Sequence, residues 1–198
     1  MKYIQIYWNH KFRNEPEFIY SAINEEGYEV KKVEIFKNGN YVIYSEDINP
    51  DRLADGIYPS LEELTFDDET ESMQAFEISE IEFNGIWDRY LKTPELEVEI
   101  YYLTTEEGGR ITPLYSGYRG QFFYDGNHWD AQQKFIDNEV CNLGETVKVY
   151  LKTMRPINHF KKFFIGKEFE IKEGAKTVGK GIITKIMRSD FNKDFEYQ

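Results

Sequence analysis

The chain has 198 residues and a formal net charge of −12, because 36 acidic residues outnumber 24 basic ones. Protein contacts with phosphates are built from lysine and arginine, so this balance excludes a general duplex-DNA binder. Apolar residues make up 40% of the chain, which is enough for a buried core. The single cysteine, Cys141, excludes an intrachain disulfide. No apolar run reaches the roughly 20 residues of a membrane span, and no signal peptide is visible. The sequence therefore predicts a cytoplasmic protein without a membrane partner.

The negative charge is concentrated in the first half of the chain. Residues 1–92 hold 20 acidic and 9 basic residues, a net of −11, whereas residues 93–198 hold 16 and 15, a net of −1. This step in composition predicts two domains. We place an acidic domain over 1–91, a linker over 92–94, a second domain over 95–187 and a C-terminal tail over 188–198.

The first half has the pattern of a small α+β domain with an antiparallel sheet. Apolar side chains alternate over residues 3–8, which predicts a strand with two faces. Asn38 and Gly39 separate two β-rich runs and predict a hairpin. Ser79 and Glu82 form a capping-box pattern, which predicts the start of a helix. The apolar face predicted for this helix comprises Ile81, Phe83, Ile86, Trp87 and Tyr90.

After residue 94 almost every segment alternates as a β-strand does. Asp125 and Gly126 separate a predicted strand pair, and the segment 146–153 alternates aliphatic with polar or aromatic side chains. Short strands joined by glycine turns are typical of a small antiparallel barrel. The predicted fold class is therefore mainly β, with an α+β domain followed by a β-barrel.

Candidate catalytic residues are few: His10, His128, His159 and Cys141. No histidine stands in a recognised catalytic spacing, and a thiolate nucleophile needs a basic partner that the sequence does not place beside Cys141. We interpret Cys141 as a small buried hydrophobe. The protein is predicted not to be an enzyme.

The densest acidic run comprises Asp67, Asp68, Glu69 and Glu71. It lacks the alternating aspartates and the distal glutamate of a calcium loop, so we predict no metal site. A solvated patch that faces a protein partner fits this run better.

One segment comes close to a phosphate-binding loop. Residues 174–181 read GAKTVGKG and match seven of the eight positions of that motif. The eighth position should be a serine or threonine that holds magnesium, and here it is Gly181. A β-branched run follows it instead of a helix. We therefore predict no nucleotide binding and no cofactor.

Five blocks of the second half occur together in order and approximate spacing. They are EGGRITP at 107–113, SGYRGQF at 116–122, GETVKV at 144–149, RPI at 155–157 and FEIKEGAKTVGKGIITKI at 169–186. Through these blocks, residues 95–187 resemble the C-terminal β-barrel domain, domain III, of bacterial elongation factor Tu. The resemblance implies a six-stranded antiparallel barrel.

In that family, domain III helps to hold the T-stem backbone of aminoacyl-tRNA. The resemblance implies an RNA-binding set in this chain, with Glu173 placed beside the matched positions: Arg110, Arg119, Gln121, Arg155, Glu173 and Gly174. The chain departs from the family at Ile111, which replaces a histidine, and at Gly120, which replaces a proline. No GTPase motif is recognisable in the sequence, so the resemblance does not imply GTPase activity.

The first half resembles a bacterial domain of unknown function. The resemblance is carried by KYIQI at 2–6, YEVKKVEIFKNG at 28–39 and ISEIEFNGIW at 78–87. Such domains look like the small acidic immunity proteins found beside polymorphic toxins, and this implies a protein partner.

Two functions follow from these features. One is a non-catalytic protein of the immunity or regulatory type that acts on a toxin or on the translation machinery, because an acidic surface can occupy a basic groove. The alternative is a protein that binds tRNA or a translation factor through the barrel alone. An enzyme that uses Cys141 or a histidine has no support in residue spacing.

Overall fold

The computed structural model describes residues 1–48 and 50–196. It divides into two compact units. The acidic unit comprises Met1–Thr93 together with Phe195 and Glu196, and the β unit comprises Pro94–Asp194. The prediction of a mainly β, two-domain protein is confirmed. Within the described residues, no helix combines the length and the apolar character needed to cross a bilayer.

The acidic unit is built on a six-stranded antiparallel sheet. Its strands are β1 (Lys2–Asn9), β2 (Pro16–Ile23), β3 (Glu29–Phe36), β4 (Tyr41–Ser45), β5 (Phe66–Asp67) and β6 (Ser72–Ile78). They pair in the order β4-β3-β2-β1-β6-β5. The predicted hairpin is confirmed between β3 and β4, where Gly39 has a φ of +79° that glycine adopts without steric cost. The alternation of β1 is also confirmed, because Tyr3 packs on one face of the sheet and Ile4 and Ile6 on the other.

The single α-helix of the described acidic unit, α1 (Glu80–Lys92), covers one face of this sheet. Its predicted capping box is present, since the Ser79 hydroxyl accepts a hydrogen bond from the Glu82 amide and the Glu82 carboxylate accepts one from the Ser79 amide. Phe83 and Trp87 are buried against the sheet, as predicted. The prediction for Ile81 is wrong, because its side chain is 84% exposed. Ile81 precedes Phe83 by two residues, which places it on the opposite side of the helix.

A polar network lies on the other face of the sheet, under the segment that follows β4. The Tyr58 hydroxyl donates to Ser21, whose hydroxyl donates in turn to the buried Glu29 carboxylate at 2.6 Å. Lys32 lies 3.3 Å from the second buried carboxylate, Glu34, and 3.7 Å from Glu29. Burial of both carboxylates is tolerated because each accepts a hydrogen bond and both lie near the same cation, Lys32.

The β unit contains nine strands. They are β7 (Leu96–Tyr102), β8 (Leu114–Tyr115), β9 (Gln121–Tyr124), β10 (Asn127–Trp129), β11 (Ala131–Phe135), β12 (Val140–Cys141), β13 (Thr146–Thr153), β14 (Glu168–Glu173) and β15 (Lys176–Ile186). Seven form an antiparallel sheet with the order β10-β9-β14-β15-β7-β13-β11, and β12 pairs with β8. The resemblance implies six strands, and the short β10 extends the sheet by pairing with β9 across the turn at Asp125 and Gly126.

The carboxylate of Glu95, which immediately precedes β7, is fully buried and joins several segments of the β unit. It accepts a hydrogen bond from the Thr153 amide at 2.7 Å and lies 3.1 Å from the Lys152 ammonium. The Glu95 carbonyl also accepts the amides of Met187 and Arg188, just after β15. Desolvation raises the pKa of Glu95, while the Lys152 and Arg188 cations oppose that rise.

The segment assigned to a C-terminal tail begins inside the β unit. Arg188 is fully buried and pairs with Asp190, with Nε 2.8 Å from Oδ1. Phe191 is also fully buried and packs on Phe163. These residues close one end of the core. Phe195 contacts the Phe36 ring within the acidic unit.

The orientation of α1 on the sheet can be tested by comparing a buried with an exposed residue of the helix. We expect Phe83→Ala to lower the free energy of unfolding of this unit by about 3–5 kcal/mol, because it removes a buried aromatic ring. Ile81→Ala should change it by less than about 0.5 kcal/mol, since that side chain is exposed. Urea unfolding followed by tryptophan fluorescence measures both. Equal losses from the two variants would contradict the orientation of α1.

Candidate functional site

The sheet register brings most of the predicted RNA-binding residues to one end of the β unit. Gln121 begins β9 and lies opposite Lys172, next to Glu173 at the end of β14. Gly174 follows in the turn to β15, with a φ of +60°. Arg110 lies in the loop after β7 and contacts Glu173. We call this group the turn cluster; its members are Arg110, Tyr118, Arg119, Gln121, Glu173 and Gly174.

Arg110 is held by an ion pair and an aromatic ring. Its guanidinium pairs with the Glu173 carboxylate and lies 5.2 Å from the ring centre of Tyr118. The Tyr118 hydroxyl donates to the same carboxylate at 2.7 Å. Thr112 accepts a further hydrogen bond from the guanidinium at 3.3 Å. Glu173 is therefore engaged within the protein and orients Arg110.

Tyr118 was not identified by sequence reasoning, and its position depends on a neighbouring glycine. A Cβ at Gly120 would lie 2.5 Å from Ile171 Cγ2 and 2.6 Å from Tyr118 Cε1. Such distances are not tolerated, so only glycine lets the Tyr118 ring lie here. The signal was present as the departure from the family at Gly120, where proline is usual.

Arg119 and Gln121 differ in how far they are engaged. The Arg119 side chain is exposed and has no ion pair or hydrogen bond with any described residue. The Gln121 side-chain oxygen is 3.0 Å from His128 Nδ1. Arg119 is therefore the member of the turn cluster whose guanidinium faces solvent without a protein partner.

Arg155 lies away from the turn cluster. It follows β13, beyond the point where Leu151 pairs with Leu96 at the start of β7. The turn cluster lies near the other end of β7, where Tyr102 pairs with Gly179. Because a seven-residue strand spans about 20 Å, one ligand group cannot contact both places. The structure therefore separates Arg155 from the other predicted RNA-binding residues.

The predicted acidic patch lies on the hairpin formed by β5 and β6, which we call the acidic hairpin (residues 66–73). Asp68 shapes its turn, because one carboxylate oxygen accepts the amides of Thr70 and Glu71 at 2.8 and 3.0 Å. These hydrogen bonds lower the pKa of Asp68. The Glu71 carboxylate accepts a hydrogen bond from the indole of Trp8 at 2.9 Å. Two of the four predicted residues therefore hold the hairpin.

The other two residues of the patch are presented to solvent. Asp67 and Glu69 are exposed, and neither carboxylate has an ion pair or hydrogen bond with the described part of the chain. The turn that Asp68 shapes therefore presents two unpaired carboxylates to solvent.

The candidate catalytic residues occupy structural positions. Cys141 is buried, as predicted, and burial raises the pKa of its thiol to about 11, which disfavours the thiolate. His159 is enclosed by rings that include Phe163 and Phe191, and its Nδ1 lies 2.6 Å from the Tyr124 hydroxyl. His10 Nε2 lies 3.0 Å from a backbone carbonyl. Among residues 1–48 and 50–196, no three His, Cys, Asp or Glu side chains are grouped to hold a metal ion.

The segment that resembles a phosphate-binding loop forms a β-hairpin. It contains the turn after β14 and the first half of β15, so no helix follows it. Gly181 allows close packing, because a Cβ there would lie 2.3 Å from the Phe169 ring. The glycines therefore serve turn and packing roles.

The chain thus consists of an acidic α+β unit followed by an antiparallel β unit with the turn cluster at one end. Residues 91–187 match the family described as the elongation factor Tu C-terminal domain, and this match covers a little under half of the chain. Residues 2–92 match a second family, described as a domain of unknown function (DUF6881). The two resemblances identified from the sequence are confirmed. The β unit is thus similar to a domain of a translation factor.

The buried histidine predicts a specific pH dependence. Desolvation, together with the nearby Arg188 charge, lowers the pKa of His159 from 6.5 to about 4. Between these values the unfolded chain binds a proton that the folded chain does not. The free energy of unfolding should therefore fall as the pH falls from 6.5 to 4, by about 3 kcal/mol.

Unfolding measured across this pH range tests the assignment. His159→Gln should lose the part of the slope that His159 contributes, whereas His128→Gln, at an exposed position, is the control and should keep that part. An unchanged slope in the His159 variant would show that the histidine titrates normally in the folded protein.

Proposed function

We propose that this chain is a non-catalytic bacterial binding protein of the immunity or regulatory type, which acts on a toxin or on a component of the translation machinery. Its acidic unit contacts a basic protein partner through the acidic hairpin. The β unit supplies a second contact of the kind used by translation factors. The proposal is carried by one observation, the unpaired carboxylates of Asp67 and Glu69 on a hairpin that internal hydrogen bonds hold in place.

A protein partner fits the charge of the acidic unit better than a nucleic acid does. Residues 1–92 carry a net charge of −11, which repels phosphate. A basic protein surface would be attracted over about a Debye length, which accelerates encounter. The nearly neutral β unit does not oppose such an encounter.

A non-catalytic role fits the positions of the nucleophilic and titratable groups. The Cys141 thiol is buried and its pKa is raised, so it is a poor nucleophile. The low pKa of His159 keeps that ring neutral, and aromatic rings enclose it.

Co-expression with the product of the adjacent gene tests this proposal. We expect this chain to relieve the toxicity of that product and to form a stable complex with it. Asp67→Asn combined with Glu69→Gln should slow association about three- to tenfold at low salt, since rim charges act mainly on the association rate. Surface plasmon resonance at two salt concentrations measures the effect.

The matched control removes two exposed carboxylates elsewhere on the same unit, through Glu25→Gln and Glu26→Gln. This control has the same change in net charge. If both double variants slow association equally, the total charge matters and the acidic hairpin is not the contact. If no adjacent product is toxic and no complex forms, the proposal fails.

The second candidate function is binding of tRNA through the β unit. It is favoured by the grouping of Arg119, Gln121 and Gly174 at one end of the sheet, with the Arg119 guanidinium free to reach a phosphate. A single unit offers few phosphate contacts, and the acidic unit repels RNA. Binding should therefore be weak and sensitive to salt.

Filter binding of total tRNA at low salt tests the second candidate. Arg119→Ala should weaken binding. It should also lower the magnitude of the slope of log affinity against log salt concentration by about one. Arg13→Ala, an exposed arginine of the acidic unit, is the control and should leave both unchanged. Identical curves for the two variants, or no binding by the parent chain, would remove this candidate.

A further inference from the structure

A groove of about 720 Å³ lies on the β unit. Its lining includes side chains from β7, β14 and β15 and from β9. Apolar surface comes from Tyr101, Phe123 and Ile182, and Ile182 is 38% exposed. Neither the turn cluster nor the acidic hairpin contributes a residue to it.

Two carboxylates stand on either side of Ile182. Strand pairing places Ile182 directly opposite Glu168 on β14 and directly opposite Glu99 on β7. Neighbouring strands lie about 4.8 Å apart, so the two glutamates are separated by about 10 Å at their backbones. All three side chains line the groove. The aliphatic side chain of Ile182 therefore lies between two carboxylates on the same face of the sheet.

The charges around the groove leave these two carboxylates available. A third glutamate, Glu170, is already paired with Lys172 at 3.0 Å. Neither the Glu99 nor the Glu168 carboxylate has an ion pair or hydrogen bond with the described residues. The nearest cations by register are Lys148, opposite Glu99 on β13, and Lys180, two residues before Ile182. Counting the four charged residues of the lining gives three acidic groups and one basic group.

An aromatic ring at the same groove already holds a cation. The Lys172 ammonium lies 3.8 Å from the ring centre of Phe123. This contact is a cation–π interaction within the protein itself, and it places positive charge against the groove wall. Lys172 therefore occupies the Phe123 ring and, with Glu170, is satisfied within the protein. The groups that favour a cationic and partly apolar occupant are the Glu99 and Glu168 carboxylates beside Ile182.

We propose that the groove binds an arginine side chain of the protein partner, with the guanidinium between Glu99 and Glu168 and its flat face over Ile182. This inference rests on the proposed function, since it names the chemistry of the partner's contact. A guanidinium carries donors on both edges in one plane, so it can hydrogen-bond two carboxylates on opposite sides. A lysine ammonium is compact and reaches only one of them at full strength.

The experiment uses the full chain and a small probe, N-acetyl-L-arginine amide, in an NMR titration of backbone amides. We expect saturable shifts at Glu99, Glu168 and Ile182 with millimolar affinity. The lysine analogue should bind at least about fivefold more weakly, and the neutral citrulline analogue should produce no saturable shifts at these amides. Equal binding of the citrulline analogue would overturn the proposal, because charge would then play no part.

Variants separate the groove from the general acidity of the chain. Glu99→Gln with Glu168→Gln should weaken binding of the arginine probe at least tenfold, because both hydrogen-bonded charges are lost. The control, Glu106→Gln with Glu139→Gln, removes two exposed carboxylates of the β unit outside the groove and should leave binding unchanged. Shifts that map to the acidic unit, or equal losses in both variants, would overturn the assignment.

The outcome is distinguishable from failure of the proposed function. If a partner complex forms but the groove variant binds that partner and the arginine probe as the parent does, the groove assignment is wrong and the proposed function stands. If the probe binds in the groove as expected but no protein partner forms a complex, the proposed function fails and the groove remains an arginine site.

Discussion

The buried carboxylate of Glu95 is the interaction on which the arrangement of the β unit depends. It binds the backbone of β13 at Thr153 and the ammonium of Lys152, while the carbonyl of the same residue receives the chain after β15. A carboxylate without water or partners would cost several kcal/mol, so these contacts hold the three segments in one register. That register then decides which strand ends, and which side chains, lie together at each end of the sheet.

The two units divide the charge of the chain between them. The acidic unit presents carboxylates on a short hairpin whose turn is fixed by Asp68 and whose flank is tied to Trp8. The β unit is nearly neutral, and its polar groups are arranged locally, with Arg110 bound by Glu173 at one end and free glutamates around Ile182 on its groove.

Much of the fold was predictable because its causes are local. A strand with one buried face must alternate, the turn at Asn38 and Gly39 requires a positive φ, and the capping box closes within four residues. The exposed Ile81 was not predictable, since the sheet decides which side of a helix is buried. Nor was the ion pair of Arg110 with Glu173, which are 63 positions apart and meet only through strand register. The resemblance grouped Arg155 with them by role, whereas the fold places it at the opposite end of β7.

The central claim, that the chain acts by binding a protein, is tested most directly by cross-linking mass spectrometry on the full chain recovered from its native cell. A carboxylate-to-amine cross-linker should join Asp67 or Glu69 to lysines of one protein in defined stoichiometry. High salt added before cross-linking should dissociate the complex and prevent these links from forming. Recovery of the chain with RNA alone, or with cross-links scattered over many unrelated proteins and insensitive to salt, would contradict the account.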